Sequence, residues 1–491
     1  MNEIDFIGNK KYPANDIGVS QLFIDMFKDE IVYCKKMGWY VWNGQYWQLD
    51  DRDGGTVNEK IKDMARYCIF KLYETPMDND ERTRQLRFWN KLMTKNYRDT
   101  VLRDSMSIAP VDTGKFNKHK LLFNCKNGTF DFARGIFRQF DKSDYLTEIS
   151  NVVYDQTATC ERFEQYLDEV MENQKDKIDY LLKIAAYCLT GDISRECFFV
   201  LYGEKTRNGK GTFVETLTHL MGTYAKTIDQ ASITKKSINT GGSNATPEFA
   251  KLQNARLVTV AEIADGMMLD VALIKKLTGG NTLNARQLYK EEIEYTPQFK
   301  IMIDTNFLPR MTDDTIFTSD RIHLLSFDRH FEQDERDRQL KDKLKTEVSG
   351  IFNLLVRYWT KLEDEGFIVP DSSKDVMQQY RFNSNNVLLF IKEKLFEDKL
   401  AWEPLSDVFK CYTDWCEENG YNQMAKKTFK ERLARCGAKI TDEVAQHMRA
   451  NGTKSLSRGW VRGFAMVQRN HQQTTINEQE LTPVDEDNTP F

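Results

Sequence analysis

Residues 197–212 read CFFVLYGEKTRNGKGT. The short apolar run Phe198–Tyr202 reads as a buried strand that stops at Gly203. A polar loop follows and closes with Asn208, Gly209, Lys210, Gly211 and Thr212, after which FVETLTHLMG repeats apolar residues at helical spacing. Strand, glycine-bounded loop with a lysine, then helix is the order of a phosphate-binding loop. Glycines let backbone N–H groups turn inward around phosphate oxygens, the helix N-terminus adds the positive end of its dipole, and Lys210 sets a point charge on the outer phosphates. The spacing departs from the usual pattern. Five residues, Glu204 to Asn208, separate the first glycine from the Gly-Lys pair, and the position after Lys210, normally the magnesium-holding Ser or Thr, is Gly211 with Thr212 next. A glycine-containing surface turn is the plain alternative, and the flanking strand and helix speak against it.

The downstream sequence continues the same chemistry. In ARLVTVAEIADG, Leu257–Ala261 reads as a strand with Glu262 at its tip, where a carboxylate beside a phosphate loop holds magnesium and activates water. Asp265 lies three residues on instead of adjacent, and serves equally well as a turn or helix-cap residue. Lys275 and Lys276 precede Gly279-Gly280, and residues 285–295 alternate enough to form a hairpin with Lys290 near its tip. Phe299–Asp304 is a further strand, ending in Thr305-Asn306, and an Asn there orients water against a terminal phosphate. Arg321 stands immediately before the strand IHLLSF, placed either for an ordinary salt bridge or to reach a neighbouring subunit's nucleotide.

The chain has 491 residues, room for about three or four domains. Charged residues make up 29% and hydrophobic residues 40%, there is no apolar run of about 18 residues, and the N-terminus lacks a signal-peptide core, so a soluble cytoplasmic protein is expected. Nine scattered cysteines, with Cys411 and Cys416 lacking a second pair, read as reduced thiols and not as a zinc site. With a net charge of −5, a nucleic-acid surface must be local.

Such a surface is expected near the C-terminus. Residues 424–469 hold 11 Lys or Arg against 3 Asp or Glu, a local net of +8. A helix with Leu405, Val408, Phe409, Tyr412 and Trp415 on one face is followed by AKKTFKERLARCGA and then by two short strands around a polar loop, a winged-helix pattern. Lys426, Lys427, Lys430 and Arg435 on the second helix, with Lys454 and Arg458 on the wing, are the candidate duplex contacts. A solvated basic face is the plain alternative. Nearer the N-terminus, GWYVWNGQYWQLD reads as a hairpin turning at Asn43-Gly44 with a type I′ signal. Its tryptophans are expected to fill a small core. Residues 57–105 read as charged helices, and residues 121–140 as a second β-rich stretch.

Taken in order, NGKGTF, LVTVAE, KKLTGGNTLNARQLY, IDTNFLP and DRIHLLSF resemble the superfamily 3 helicase core of phage and plasmid primase-helicases, with the poxvirus primase-helicase a more distant relative. NCKNGTFDF and the segment from Tyr154 to Gly191 are similar to the helical domain that precedes this ATPase, so the resemblance covers roughly residues 110–335. It implies an AAA+ P-loop ATPase core with α/β fold, acting as an ATP- and Mg2+-dependent DNA helicase in replication of a phage, plasmid or mobile element within a bacterial host cytoplasm. It also implies a homo-oligomer, a ring hexamer with single-stranded DNA in its channel. The implied organisation is an N-terminal α+β region (1–110), the helical domain (111–195), the core (196–335), a helical lid or linker (336–384), a winged-helix-like domain (385–469) and an acidic tail without order (470–491). By carry-over, Lys210 and Thr212 bind phosphate and magnesium, Glu262 holds the metal and activates water, Asn306 is the polar sensor and Arg321 the inter-subunit finger. Lys290, with Lys276 and Arg286, grips DNA in the channel. Gly211 leaves the magnesium ligand open, and the separated acids leave the catalytic division between Glu262 and Asp265 open. Such proteins often carry a primase domain. The Asp51/Asp53 pair sits in a Gly-rich turn after a short region, so no primase activity is expected, and a separate primase is an anticipated partner. Two other readings stay open: an origin-binding initiator whose ATPase drives assembly or melting, and an ATP-gated oligomeric scaffold.

Overall fold

A computed structural model of the chain describes residues 1–50, 55–108, 110–235, 247–286, 292–311, 313–419, 421, 423–448 and 454–467. Asp51, Asp53, Lys290 and the expected acidic tail lie outside these residues. The described chain forms two compact units, one made of Met1–Pro309 with Thr318–Lys374 and the other of Arg310–Phe317 with the residues from Asp375 on.

The first unit opens with α1 (Asp16–Phe27), whose N-cap Asn15 accepts a hydrogen bond from the Gly18 N–H. A three-stranded antiparallel meander follows: β1 (Ile31–Cys34), β2 (Gly38–Trp42) and β3 (Trp47–Leu49). The β2–β3 hairpin turns where the sequence predicts, but not by a two-residue type I′ turn. Trp42 pairs with Trp47, so four residues form the loop, and Asn43 Oδ1 accepts from the N–H groups of Gln45 and Tyr46 at 2.9 Å each. The side-chain cap replaces the backbone geometry that Asn-Gly usually supplies. Trp39 and Trp47 are buried. Helices α2 (Thr56–Glu74), α3 (Asn79–Trp89) and α4 (Lys95–Ser105) close over α1 around Trp89, Leu92 and Val101.

Next come the meander β4 (Leu122–Cys125), β5 (Gly128–Asp131) and β6 (Ile136–Arg138), and helices α5 (Glu161–Val170) and α6 (Lys175–Leu189). The following α/β segment supplies β7 (Phe198–Tyr202), α7 (Lys210–Met221), β8 (Ala225–Ile228), the single turn α8 (Pro247–Ala250), β9 (Leu257–Ala261) and α9 (Val271–Thr278). It continues with β10 (Leu283–Arg286), β11 (Glu292–Tyr295), β12 (Lys300–Thr305) and β13 (Ile322–Ser326). Five strands form one parallel sheet in the order β13-β7-β12-β9-β8. The near-continuous apolar sequences of β7, β9, β12 and β13 suit strands covered on both faces. β10 and β11 form a separate antiparallel pair, with Ala285 and Ile293 buried against Ala250. Helices α10 (Leu340–Thr346) and α11 (Val348–Glu365) fill the same core as α5, α6, α7 and the sheet.

Helix α6 is buried almost all round, and its lysines are matched individually. Lys183 Nζ lies 2.7 Å from Glu365 and 3.2 Å from Asp179, and Lys177 Nζ lies 2.6 Å from Asp328. Two more buried cations cap the carbonyl end of α6. Arg256 Nη1 donates to Leu189 O at 2.7 Å, and Lys300 Nζ donates to Thr190 O and to Asp192 O. Burial pushes the Lys300 ammonium down to about 7. Arg256 immediately precedes β9 and Lys300 begins β12, so the cap sets the sheet on the helical layer.

The second unit contains the end of α12 (Asp371–Ser384), then α13 (Asn386–Lys394), β14 (Leu395–Pro404), α14 (Leu405–Glu418), α15 (Lys426–Arg435), β15 (Lys439–Met448) and β16 (Lys454–Met466). The strands pair antiparallel in the order β14-β16-β15. Val408, Tyr412 and Trp415 of α14 pack on Phe429 and Leu433 of α15, as the sequence pattern predicts. The hairpin strands are longer than expected, at 10 and 13 residues, and β14 is an additional strand.

Candidate phosphate-binding site

The loop between β7 and α7 is held from within by Asn208. Its Nδ2 donates to Lys205 O at 2.7 Å and to Phe327 O at 3.4 Å, and its Oδ1 accepts from the Lys210 N–H at 3.4 Å. A Cβ on Gly203 would come within 2.0 Å of Asn208 Nδ2, so the glycine makes room for the amide. Asn208 is the extra residue of this loop, and it is absorbed by tying the loop across its width. Gly209 has φ +89°, the left-handed conformation that favours glycine, and its carbonyl accepts from the Tyr166 hydroxyl at 2.8 Å. After β13, the chain wraps the other side, with the Phe331 N–H donating to Arg207 O at 3.0 Å.

Lys210 is buried, and its Nζ donates to Gly203 O at 3.3 Å and lies 3.8 Å from Asp304 Oδ1. Burial lowers its pKa, against the pull of Asp304, while burial raises that of Asp304, reinforced by the Glu262 charge. One long ion pair and one carbonyl leave ammonium donors available for phosphate oxygens. Gly211 and Thr212 follow on the first turn of α7.

The other expected residues divide into two groups. Glu262 stands at the tip of β9 with φ +50°, exposed, and its N–H donates to Asp304 O at 2.9 Å. Asn306 at the end of β12 donates through Nδ2 to Gly203 O at 2.6 Å and to Lys205 O at 3.1 Å. Since β7, β12 and β9 are neighbours, Lys210, Glu262 and Asn306 meet at the C-terminal edge of the parallel sheet, where open α/β sheets bind ligands. Asp265 lies beyond them in an exposed turn. Arg321 stands at the opposite edge, bonded to Glu196 and 3.4 Å from Thr278 Oγ1. The length of β13, about 16 Å, separates it from this chain's own loop.

The candidate DNA contacts lie elsewhere. Lys276 on α9 and Arg286 on β10 are exposed. In the second unit Lys426, Lys427, Arg435 and Arg458 are exposed, Lys430 pairs with Asp442 at 2.5 Å, and Lys454 contributes its backbone to β16.

Two residues of the site escape the sequence reading. Asp304 stands two positions before Asn306, and that parity, which puts both on one side of a strand, is the signal that would have found it. Tyr166 comes from a helix 43 residues upstream of the glycine it touches, and nothing local announces it.

Three family models match separate parts of the chain. Residues 20–172 match the D5 N terminal like model, residues 201–321 a family of unknown function, and residues 383–442 the poxvirus D5 protein-like model. A putative helicase of Acanthamoeba polyphaga mimivirus is 27% identical over 354 residues, covering 67% of this chain and 36% of the relative. A putative helicase of Invertebrate iridescent virus 3 is 21% identical over 486 residues, covering 84% and 51%. Primase D5 of fowlpox virus (strain NVSL) is 24% identical over 348 residues, covering 67% and 40%. The chain thus spans between about a third and a half of the length of these relatives. Among solved structures, the apo C-terminal region of NrS-1 is 10% identical, covering 91% of this chain and 99% of that one with a TM-score of 0.45. D5-type segments thus lie on both sides of the candidate phosphate loop, and the chain is similar to viral proteins named putative helicases and primase D5.

Proposed function

We propose that the chain is an ATP-driven DNA helicase of replication, with an AAA+ core of superfamily 3 type at residues 196–335 that works as a ring hexamer on single-stranded DNA. One observation carries this reading: neighbouring parallel strands bring Lys210, Glu262 and Asn306 to a single loop edge. There the loop N–H groups from Gly203 to Gly211 and the Lys210 ammonium would hold ATP phosphates, and Thr212 and Glu262 would hold Mg2+, which would supply charge neutralisation for the phosphates. Glu262 takes a proton from the attacking water, and the Asn306 amide, which now braces the loop, orients that water. Arg321, out of reach of its own loop, serves a neighbouring subunit's nucleotide. Asp265 plays no direct part. Lys276, Arg286 and Lys290 would contact DNA in the channel, with the region 111–195, a β-meander and two helices, ahead of the core and residues 336–384 behind it.

A second reading, an origin-binding initiator, is favoured by the exposed Lys426, Lys427, Arg435 and Arg458 around a helix–hairpin unit. The two activities are compatible in one protein. The scaffold reading has no comparable support. The relatives come from viruses of eukaryotes, so the bacterial host suggested by the phage and plasmid resemblance gains nothing from them. Among the described residues, no helix is long and apolar enough to cross a membrane. Absence of primer synthesis remains part of the proposal, and templated synthesis by the pure protein would contradict it.

The test is ATP hydrolysis with and without single-stranded DNA, in wild type and Lys210→Ala. DNA-stimulated hydrolysis that disappears in the variant supports the motor. Hydrolysis indifferent to DNA sinks it and leaves the initiator.

A further inference from the structure

Two groups that an ATPase of this kind puts beside magnesium are missing from their usual places. The residue after the loop lysine is Gly211, which has no hydroxyl, and the position before Glu262, where a first strand acid usually precedes a second, is Ala261. One side chain faces both gaps. Asp304 of β12 is the direct register partner of Ala261 of β9. Paired residues of neighbouring strands project to the same side of a sheet, so the Asp304 carboxylate stands on the side an acid at position 261 would occupy. Its Oδ2 lies 3.8 Å from where a Cβ on Gly211 would be, and its Oδ1 lies 3.8 Å from Lys210 Nζ.

We infer that Asp304 supplies, from the adjacent strand, the magnesium-side carboxylate that Ala261 and Gly211 leave vacant. This rests on the ATPase reading and specifies its metal ligand. The missing hydroxyl is part of the device: glycine leaves room for a carboxylate, a hard oxygen donor suited to Mg2+, to approach the metal held by the outer phosphates. Without nucleotide the same carboxylate neutralises Lys210. With Mg-ATP bound, Lys210 would hold a phosphate oxygen and Asp304 the metal, so each charge would exchange one partner for another.

The test measures binding of a non-hydrolysable ATP analogue by the full chain across a Mg2+ titration, and Mn2+ binding in the presence of that analogue by electron paramagnetic resonance. In Asp304→Asn the affinity for the Mg-analogue complex falls about tenfold or more. Metal-free affinity stays level or rises, because a negative charge beside the phosphates is gone. A misfolded or loosened loop would lower both, so the opposite signs isolate the metal role. The double variant Ala261→Asp/Asp304→Ala, which moves the carboxylate across one strand pair, recovers Mg2+ dependence relative to Asp304→Ala. Unchanged Mg2+ dependence in Asp304→Asn, or equal losses with and without metal, overturns the inference. If wild type shows no Mg2+-dependent nucleotide binding, the ATPase reading itself fails, a result distinguishable from the variant-specific one.

Discussion

Removing the Tyr166 hydroxyl tests whether helix α5 sets the conformation of the phosphate loop. Tyr166 is 1% exposed, and its hydroxyl reaches the Gly209 carbonyl at 2.8 Å. Burial raises its pKa well above the ordinary tyrosine value, so the group remains a donor at any working pH. Val170, one turn on, occupies the space beside Gly209, where a Cβ would come within 2.5 Å of Val170 Cγ2. Tyr166→Phe keeps the ring and its neighbour Phe163, whose centroid lies 6.0 Å away, and deletes one hydrogen bond. The Gly209 carbonyl still accepts from the Phe213 N–H at 3.1 Å, so the loss is that of a single neutral bond, about 1 kcal/mol. Spent on holding the loop, this is about a fivefold change in the population competent for nucleotide. Steady-state kinetics should show KM for ATP rising about fivefold with kcat nearly unchanged, the pattern of lost uniform binding. A fall in kcat at constant KM would mean that the hydroxyl acts on the chemical step. No change in either constant would mean that α5 merely packs beside the loop, and both results would refute the reasoning.

Three further outcomes are expected. Lys290→Ala should keep basal ATPase and lose strand unwinding, measured on a forked duplex, and unwinding at the wild-type rate would remove the channel role of this lysine. In salt titrations of duplex binding by the full chain, Lys426→Gln/Lys427→Gln should lower the slope of log K against log [salt] by up to about 2, since each phosphate contact contributes about 0.9, and an unchanged slope would mark these lysines as a solvated face. His323, buried between Tyr180 and Phe367, is held down to about 4 by burial. An unfolded histidine takes its proton near pH 6.5, so between about pH 6.5 and 4 the unfolded state binds more protons and stability falls as pH falls. Urea unfolding should show about 2 kcal/mol lost between pH 7.5 and 5 that is absent in His323→Gln, and equal losses in both would exclude this histidine as the cause.

The phosphate loop was readable because its evidence is local. Strand β7, the glycines and the first turn of α7 are contiguous, and strands β9, β12 and β13 each announce themselves by an apolar run with a polar residue at the end. The extra loop residue is explained only by the bonds of Asn208 across the loop. Strand β14 was missed for a different reason. LFEDKLAWEP has no period-2 burial and forms a ladder only with β16, far along the chain, so its extended state comes from a partner that no short window contains.

By itself the sequence determined that β7, β9, β12 and β13 become strands, where the loop lies and that a lysine closes it, since these follow from hydrophobic runs and backbone preferences over a few residues. The order β13-β7-β12-β9-β8, the pairing of Asp304 with Ala261, the reach of Tyr166 to Gly209 and the capping of α6 by Arg256 and Lys300 were decided only by the tertiary structure. Each joins residues tens to more than a hundred positions apart, and such contacts arise when the chain buries its apolar faces together and satisfies its buried polar groups, a condition on the whole unit and not on any stretch of it.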